Sequence, residues 1–377
     1  MLKIFLLLTC CIFSAQEIET GLDAHSKELL INLKNKKIAV VANPTSILKN
    51  KQHLVDFLFE NRIEIQTIFA PEHGFRGDAD AGETVKDGKD FKTNIPIISL
   101  YGKNKKPSKE ILQGIDYMVF DIQDIGVRFY TYISTLHYVM EACANENIPL
   151  IILDRPNPNI SIVDGPVLEK EHTSFVGMHP IPILHGLTIA EYAQMINGEN
   201  WLGENIQCKL ILKPCKNYHR NKKYSLPVKP SPNLPNDLSI NLYASLCFFE
   251  GTNVSVGRGT DTQFQIYGSP FLPKKGFSFT PKPNFGAKDP LHNQIKCWGE
   301  NLTKSKHVSQ LNLSWLIKAY QNTTSKKDFF NSFFTKLAGT KILQNQIENR
   351  VSEGEIRKSW QKDLEIFKEK RKKYLLY

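Results

Sequence analysis

Between residues 37 and 160 the sequence repeats one pattern: a short apolar run, a polar cluster, then a stretch with apolar residues at helical spacing. The runs lie at 38–42, 65–69, 97–100, 117–120 and 150–153. Most are apolar at consecutive positions, the signature of parallel strands covered on both faces. Between them, 51–61 and 132–146 place Leu54, Phe57 and Leu58, and Leu136, Val139 and Met140, on helical stripes. This predicts an α/β fold with a doubly wound, mostly parallel sheet. At 377 residues the chain is too long for one ordinary core, so a second unit is expected.

The polar cluster after each run carries the functional signal. Asn43-Pro44, Pro71-Glu72-His73-Gly74, Tyr101-Gly102, Asp121 to Asp124 and Asp154-Arg155-Pro156-Asn157 all follow a strand. In a parallel sheet those ends share one edge, where open α/β sheets bind their ligands. Caps and turns account for any one cluster; five with Glu, His, Asp and Arg predict a site. The first turn, 42–46, has no glycine, so neither a dinucleotide fingerprint nor a P-loop is present. Gly257-Arg258-Gly259 lacks a third glycine at the right offset.

Carboxylates at Glu72, Glu83, Asp121, Asp124, Glu169 and Glu250 suit acid/base work on a neutral polar substrate. Glycosidic cleavage needs two, one to protonate the leaving oxygen and one as base or nucleophile. Glu72 leads, because Pro71 stiffens its turn and Gly74 lets a substrate approach closely. Asp121 and Asp124 are equally candidates for the second carboxylate or for ordering the turn at Gly126. Arg128, Arg155 and Arg258 can fork a carboxylate, and Tyr130, Tyr132 and Tyr267 can stack on sugar rings. His73, Arg76, Asn157 and, from the loop 249–261 rich in small polar groups, Glu250, Asn253, Ser255 and Thr260 are expected to contact substrate. His73, Asp121, Asp124, His137, His179 and His185 are ligand types, but no His-Glu-x-x-His spacing or carboxylate cage joins them, so no metal and no cofactor is expected. Gly-x-Ser-x-Gly is absent too.

Thr188 with Glu191 reads as a capping box opening a helix. The Pro-rich, basic stretch 213–236 then reads as the crossing between domains. Expected boundaries are a signal peptide at 1–15, an N-terminal catalytic domain at 20–240 and a smaller α+β domain at 241–377 that completes the cleft. The N-terminus supports export: Lys3, an apolar run at 4–13, then Ser14-Ala15-Gln16. Leu7-Leu8-Thr9-Cys10 offers a second reading, a lipoprotein-type site that leaves an acylated Cys10. Of seven cysteines, five follow this segment without metal-type spacing. Cys143 and Cys247 read as buried small apolar groups, with a Cys208–Cys215 bridge as an open alternative. The net charge, 48 − 38 = +10, comes from scattered lysines that read as solvated faces, and no nucleic-acid partner is expected.

Several motifs together resemble a known family. They are Ala-Pro-Glu-His-Gly-Phe-Arg-Gly at 70–77, Phe-Asp-Ile-Gln-Asp-Ile-Gly-Val-Arg-Phe-Tyr-Thr-Tyr at 120–132, Asp-Arg-Pro-Asn-Pro at 154–158, Asp-Gly-Pro at 164–166 and Glu-Gly-Thr-Asn-Val-Ser-Val-Gly-Arg-Gly-Thr at 250–260. In this order they resemble the exo-β-N-acetylmuramidase NamZ family, over residues 37–377. The resemblance implies a Rossmann-like N-terminal domain, a smaller C-terminal domain and a cleft between them. It further implies release of N-acetylmuramic acid from the non-reducing ends of peptidoglycan fragments, with Glu72 on the family's proposed catalytic glutamate. Muramyl saccharides are then the expected partners, in a periplasmic or extracellular setting, with a membrane reached only through a lipid at Cys10. The rival readings are a non-catalytic sugar-binding lipoprotein and a metal-dependent hydrolase.

Overall fold

The structure is a computed structural model describing residues 17–77 and 87–377. The segment 1–15, Cys10 and Glu83 lie outside the described residues. Seven strands form the larger sheet: β1 (Lys37–Ala42), β2 (Glu64–Ala70), β3 (Gly88–Lys89), β4 (Pro96–Ser99), β5 (Tyr117–Asp121), β6 (Leu150–Leu153) and β7 (Leu210–Lys213). Their order is β3-β4-β2-β1-β5-β6-β7, with every pairing parallel except β3 with β4. The five expected runs are β1, β2, β4, β5 and β6. Two strands were not foreseen: β3 is two residues long, and the Leu-Ile-Leu of β7 runs directly into the basic, proline-rich stretch.

The consecutive apolar positions have a direct cause. Ile38, Val40 and Ala42 of β1 face a core shared with Leu22, Leu29, Leu54 and Leu58, while Ala39 and Val41 face a second core with Leu136, Val139 and Met140. Helices α1 (Gly21–Leu33) and α2 (Leu54–Glu60) supply the first layer; α3 (Lys109–Leu112), α4 (Tyr132–Asn145) and α5 (Ile189–Gly198) supply the second. Thr188 and Glu191 form the expected capping box on α5. Helix α1, which the sequence pattern did not reveal, starts where the chain runs against the sheet edge. A Cβ on Gly21 would lie 2.1 Å from the Lys213 carbonyl oxygen, so only glycine fits there.

After the extended stretch, α6 (Asp237–Leu246) leads into the smaller unit. Its antiparallel sheet of β8 (Ile266–Ser269), β9 (Phe277–Phe279) and β10 (Cys297–Asn301) has the order β8-β10-β9. Helices α7 (Ser314–Asn322), α8 (Phe333–Ala338), α9 (Ile342–Glu348), α10 (Glu353–Ser359) and α11 (Gln361–Arg371) follow. The second sheet-face core runs without interruption into Phe248, Phe264, Phe334 and Leu364, so the two units share a hydrophobic interior. The five cysteines of the described residues are free and buried, and no Cys208–Cys215 bridge forms.

Candidate active site

The end of β2 builds one wall of a cleft. After Pro71 and Glu72 the backbone turns through His73 (φ 72°) and Gly74 (φ 80°), and the Gly74 N–H donates to the Pro71 carbonyl at 3.1 Å. A non-glycine residue in the left-handed region costs about 1 kcal/mol or more, so packing must hold His73 there. Arg76 supplies an anchor: its Nε and Nη2 each donate to Asp90 at 2.9 Å, and Nη2 also donates to Asp56 at 2.8 Å. With the turn pinned, Glu72 faces the cleft. Its Oε2 accepts a hydrogen bond from the Thr131 hydroxyl at 2.6 Å, and the Tyr101 hydroxyl bonds to the same carboxylate. Burial, with the Glu72 charge next in effect, pushes the Tyr101 phenol well above its usual pKa, which keeps it protonated as a donor.

Thr131 belongs to the loop between β5 and α4, whose Phe129 and Tyr130 also line the cleft. Tyr130 is held edge-on to Tyr132 at 4.8 Å and donates to the Pro230 carbonyl at 2.7 Å. The extended stretch thereby closes one side of the site.

The opposite wall comes from the smaller unit. Glu250 sits on the 3-10 turn Cys247–Gly251 that continues α6. Arg258 is flanked by Gly257 (φ 80°) and Gly259 (φ 78°); Cβ atoms there would come within 2.6 Å of Ile266 and of the Lys282 carbonyl oxygen, respectively. Arg258 Nε donates to Glu250 Oε1 at 2.6 Å, and its guanidinium lies 5.2 Å from the Phe264 ring centroid. Between the walls is a cavity of about 400 Å³, also lined by Phe175, Asn233, Tyr243 and Asp289. That volume lies in the range of small-molecule sites.

Residues 38–238 match the family described as exo-β-N-acetylmuramidase NamZ, N-terminal, and residues 241–377 match its C-terminal counterpart. The chain belongs to the exo-β-N-acetylmuramidase NamZ family. The peptidoglycan β-N-acetylmuramidase NamZ of Bacillus subtilis (strain 168) is 38% identical over 383 residues, covering 96% of this chain and 92% of that protein. Among solved structures, a DUF1343 family protein of Bacteroides fragilis NCTC 9343 is 43% identical with a TM-score of 0.88. A second from the same organism is 28% identical with a TM-score of 0.81; both comparisons cover 96% of this chain and 99% of the other.

Of the residues singled out in this NamZ-family sequence, the structure brings Glu72, His73, Tyr130, Glu250 and Arg258 to the cleft. The others have different employment. Asp121 is fully buried and takes both donors of the Arg155 fork, at 2.5 and 2.8 Å, while Arg155 Nη2 also reaches the Ile47 carbonyl at 3.0 Å. This ion pair fills the switch point between β1 and β5, where a doubly wound sheet would otherwise receive its ligand. Asp124 is buried as well, accepting the Gly126 N–H at 2.7 Å, and burial raises its pKa to about 7. Neither aspartate lines the cleft, where a second catalytic carboxylate at Asp121 or Asp124 was expected.

Nor is Arg128 a substrate clamp: its Nη1 donates to the Pro166 and Ile181 carbonyls, both at 2.8 Å, and its Nη2 to Leu337 and Ala338 at 2.9 and 2.7 Å. It ties the loop between β5 and α4 to the end of α8. Arg76 is spent on Asp56 and Asp90. Tyr132 packs behind Tyr130, and Tyr267 is buried against Phe249 at 4.8 Å. Asn157 donates to the Leu187 carbonyl at 2.9 Å and fills the space left by Gly126, whose Cβ would lie 2.2 Å from Asn157 Nδ2. Ser255 and Thr260 shape the loop that carries Arg258: Ser255 Oγ accepts the Gly257 N–H at 3.2 Å, and the Thr260 hydroxyl donates to the Gly257 carbonyl at 2.6 Å. Asn253 supports the same loop through its backbone, pairing with Phe329 at 2.9 Å.

Tyr101 and Thr131 also line the cleft and are absent from the candidates; Tyr101 lies in a strand-end cluster and Thr131 in the 120–132 motif. Phe175 and Asp289 come from irregular segments with no pattern to mark them. Among the described residues, the grouping able to share a metal ion is Glu169, Glu171 and His172, none of which lines the cleft.

Proposed function

We propose that this chain is a glycoside hydrolase that releases N-acetylmuramic acid from the non-reducing ends of peptidoglycan fragments, with Glu72 as its proton-transfer group. The observation that carries the reading is the placement of Glu72: a strand-end carboxylate on a pinned turn, gripped by Thr131 and Tyr101, facing a cavity of about 400 Å³ in a NamZ-family chain. Glycosidic cleavage fails without a proton for the departing oxygen, and a fixed carboxyl that cycles its proton lowers that cost. The hydroxyl partners of Glu72 fix its orientation before substrate arrives. Glu250 and Asp289 of the smaller unit face the same cavity; Glu250 is paired with Arg258, which leaves Asp289 as the candidate for a second protein carboxylate. The acetamido group of the substrate offers the other route to the same step.

The test is release of chromophore from a synthetic β-N-acetylmuramide in the presence of EDTA. Wild-type protein is expected to turn over, and Glu72→Gln to lose about a thousandfold or more in kcat. A sugar-binding protein would show no turnover to lose, and a metal hydrolase would be silenced by the chelator.

We further propose that residues 1–15 direct export, since Lys3, the apolar run and Ser14-Ala15-Gln16 have the signal layout. The working compartment is then periplasmic or extracellular. Mass spectrometry of the mature N-terminus tests this, with cleavage after Ala15 and lipidation of Cys10 as distinguishable products.

A further inference from the structure

Three arginines suit a carboxylate clamp by sequence, and the structure leaves one for substrate. Arg128 is consumed by four backbone carbonyls and Arg155 by Asp121 and Ile47. Arg258 is different. Among the described residues lining the cavity it is the single lysine or arginine. Its guanidinium has five donor hydrogens, and Glu250 engages the Nε side; Nη1 is buried without a partner. Leaving a buried donor of a charged group unpaired is costly, so a ligand that accepts from it completes the arrangement.

The rest of the lining says what kind of ligand. Glu72, Glu250 and Asp289 face the same cavity, a set that repels anions unless a cation is reserved for them. N-acetylmuramic acid differs from N-acetylglucosamine by a lactyl ether that ends in a carboxylate. The terminal Nη1/Nη2 edge of a guanidinium matches that group in a two-bond fork. Glu250 and the Phe264 face hold the guanidinium in place, so its orientation is set before binding.

We propose that Arg258 binds the lactyl carboxylate of the muramyl sugar and is the specificity-determining residue of this site, with Glu250 as its positioning partner. The proposal rests on the muramidase reading above and adds the group by which the substrate is told from its unsubstituted analogue. Since the enzyme meets the lactyl group on the sugar it releases, Arg258 also fixes which ring enters the cavity.

The experiment varies substrate and protein together. Wild-type enzyme is assayed on a chromogenic β-N-acetylmuramide, on its neutral lactyl carboxamide and on the corresponding N-acetylglucosaminide. The expected result is a loss on the order of 100-fold in kcat/KM for both neutral substrates. Arg258→Lys, which keeps the charge opposite Glu250 and removes the fork, is expected to lose a similar factor on the muramide and little more on the carboxamide. Equal wild-type rates on muramide and carboxamide would overturn the Arg258 assignment while leaving the muramidase reading intact. An Arg258→Lys loss of the same size on all three substrates would also overturn it, because a purely structural role predicts that pattern. Wild-type protein inactive on the muramide would remove the reading on which the assignment rests, and the assignment with it.

Discussion

The carboxyl ends of β2 and β5 look alike in sequence, each an apolar run followed by acidic and small residues, yet they do opposite things. At the end of β5, Asp121 meets the Arg155 fork and Asp124 meets the Gly126 N–H, and the crevice is closed by the chain's own groups. Ser46 and Thr45 complete that closure, Ser46 Oγ donating to the Asp121 carbonyl and Thr45 Oγ1 accepting the Gln123 N–H at 3.0 Å. At the end of β2, two hydroxyls hold Glu72 toward the cavity: Thr131 and Tyr101 both bond its carboxylate and orient it. A charge met by an internal counter-charge is structure, whereas a charge oriented by hydroxyls over a cavity is available for chemistry. The difference is made by residues far away in sequence, Arg155 above all.

Exchanging single carboxyls for amides breaks this comparison most sharply. Glu72→Gln is expected to abolish at least about a thousandfold of kcat with unchanged unfolding behaviour, while Asp124→Asn stays within a few-fold of wild type in the same chromogenic assay. Asp124→Asn activity falling as far as that of Glu72→Gln would put the chemistry at β5 instead. Next in size is Asp121→Asn. It strands the Arg155 charge in the interior and should cost about 3–5 kcal/mol in urea unfolding, a loss of stability and not of active-site chemistry in the molecules that remain folded.

Smaller, and opposite in sign, is the effect of Asp124→Asn on stability. Burial raises the Asp124 pKa to about 7 in the folded protein, above its unfolded value near 4. The folded state therefore holds a proton that the unfolded state releases, and the protonated carboxyl's contribution is intact below pH ~4 and is lost as pH rises through about 7. Asp124→Asn should gain on wild type by about 2 kcal/mol between pH 5 and 7, followed by urea midpoints across that range. A difference that stays flat with pH would mean that Asp124 is ionised throughout. The smallest effect belongs to Thr131→Val, which removes one hydrogen bond to Glu72 and should lower kcat about tenfold with KM little changed.

Much of the frame was legible in advance because the physical cause is local. Five strands announce themselves through runs buried on both faces, and α5 through the Thr188–Glu191 pair. The catalytic candidate was legible for a related reason: a glutamate between a proline and a left-handed His-Gly turn is an uncommon use of a strand end. What stayed hidden depends on partners. No local pattern tells an Arg155 that neutralises Asp121 from an Arg258 that faces a cavity, since both sit among glycines, prolines and polar residues. Helix α1 was hidden because Thr20 and Gly21 gain their meaning only against Asp154 and Lys213, and the Gly21 N–H reaches the Asp154 carbonyl at 2.7 Å. Asp289 and Phe175 reach the cleft from loops whose paths are set by tertiary packing.

The most direct test is a crystal structure of Glu72→Gln, nearly identical in shape to wild type, with a muramyl-β-1,4-glucosaminyl disaccharide bound. The account places the glycosidic oxygen within about 3 Å of the residue-72 side chain, with the muramyl ring between Tyr130 and the Glu250–Arg258 pair. A disaccharide seated beside Asp121 and Arg155, or residue 72 turned away from the bridging oxygen, would contradict it.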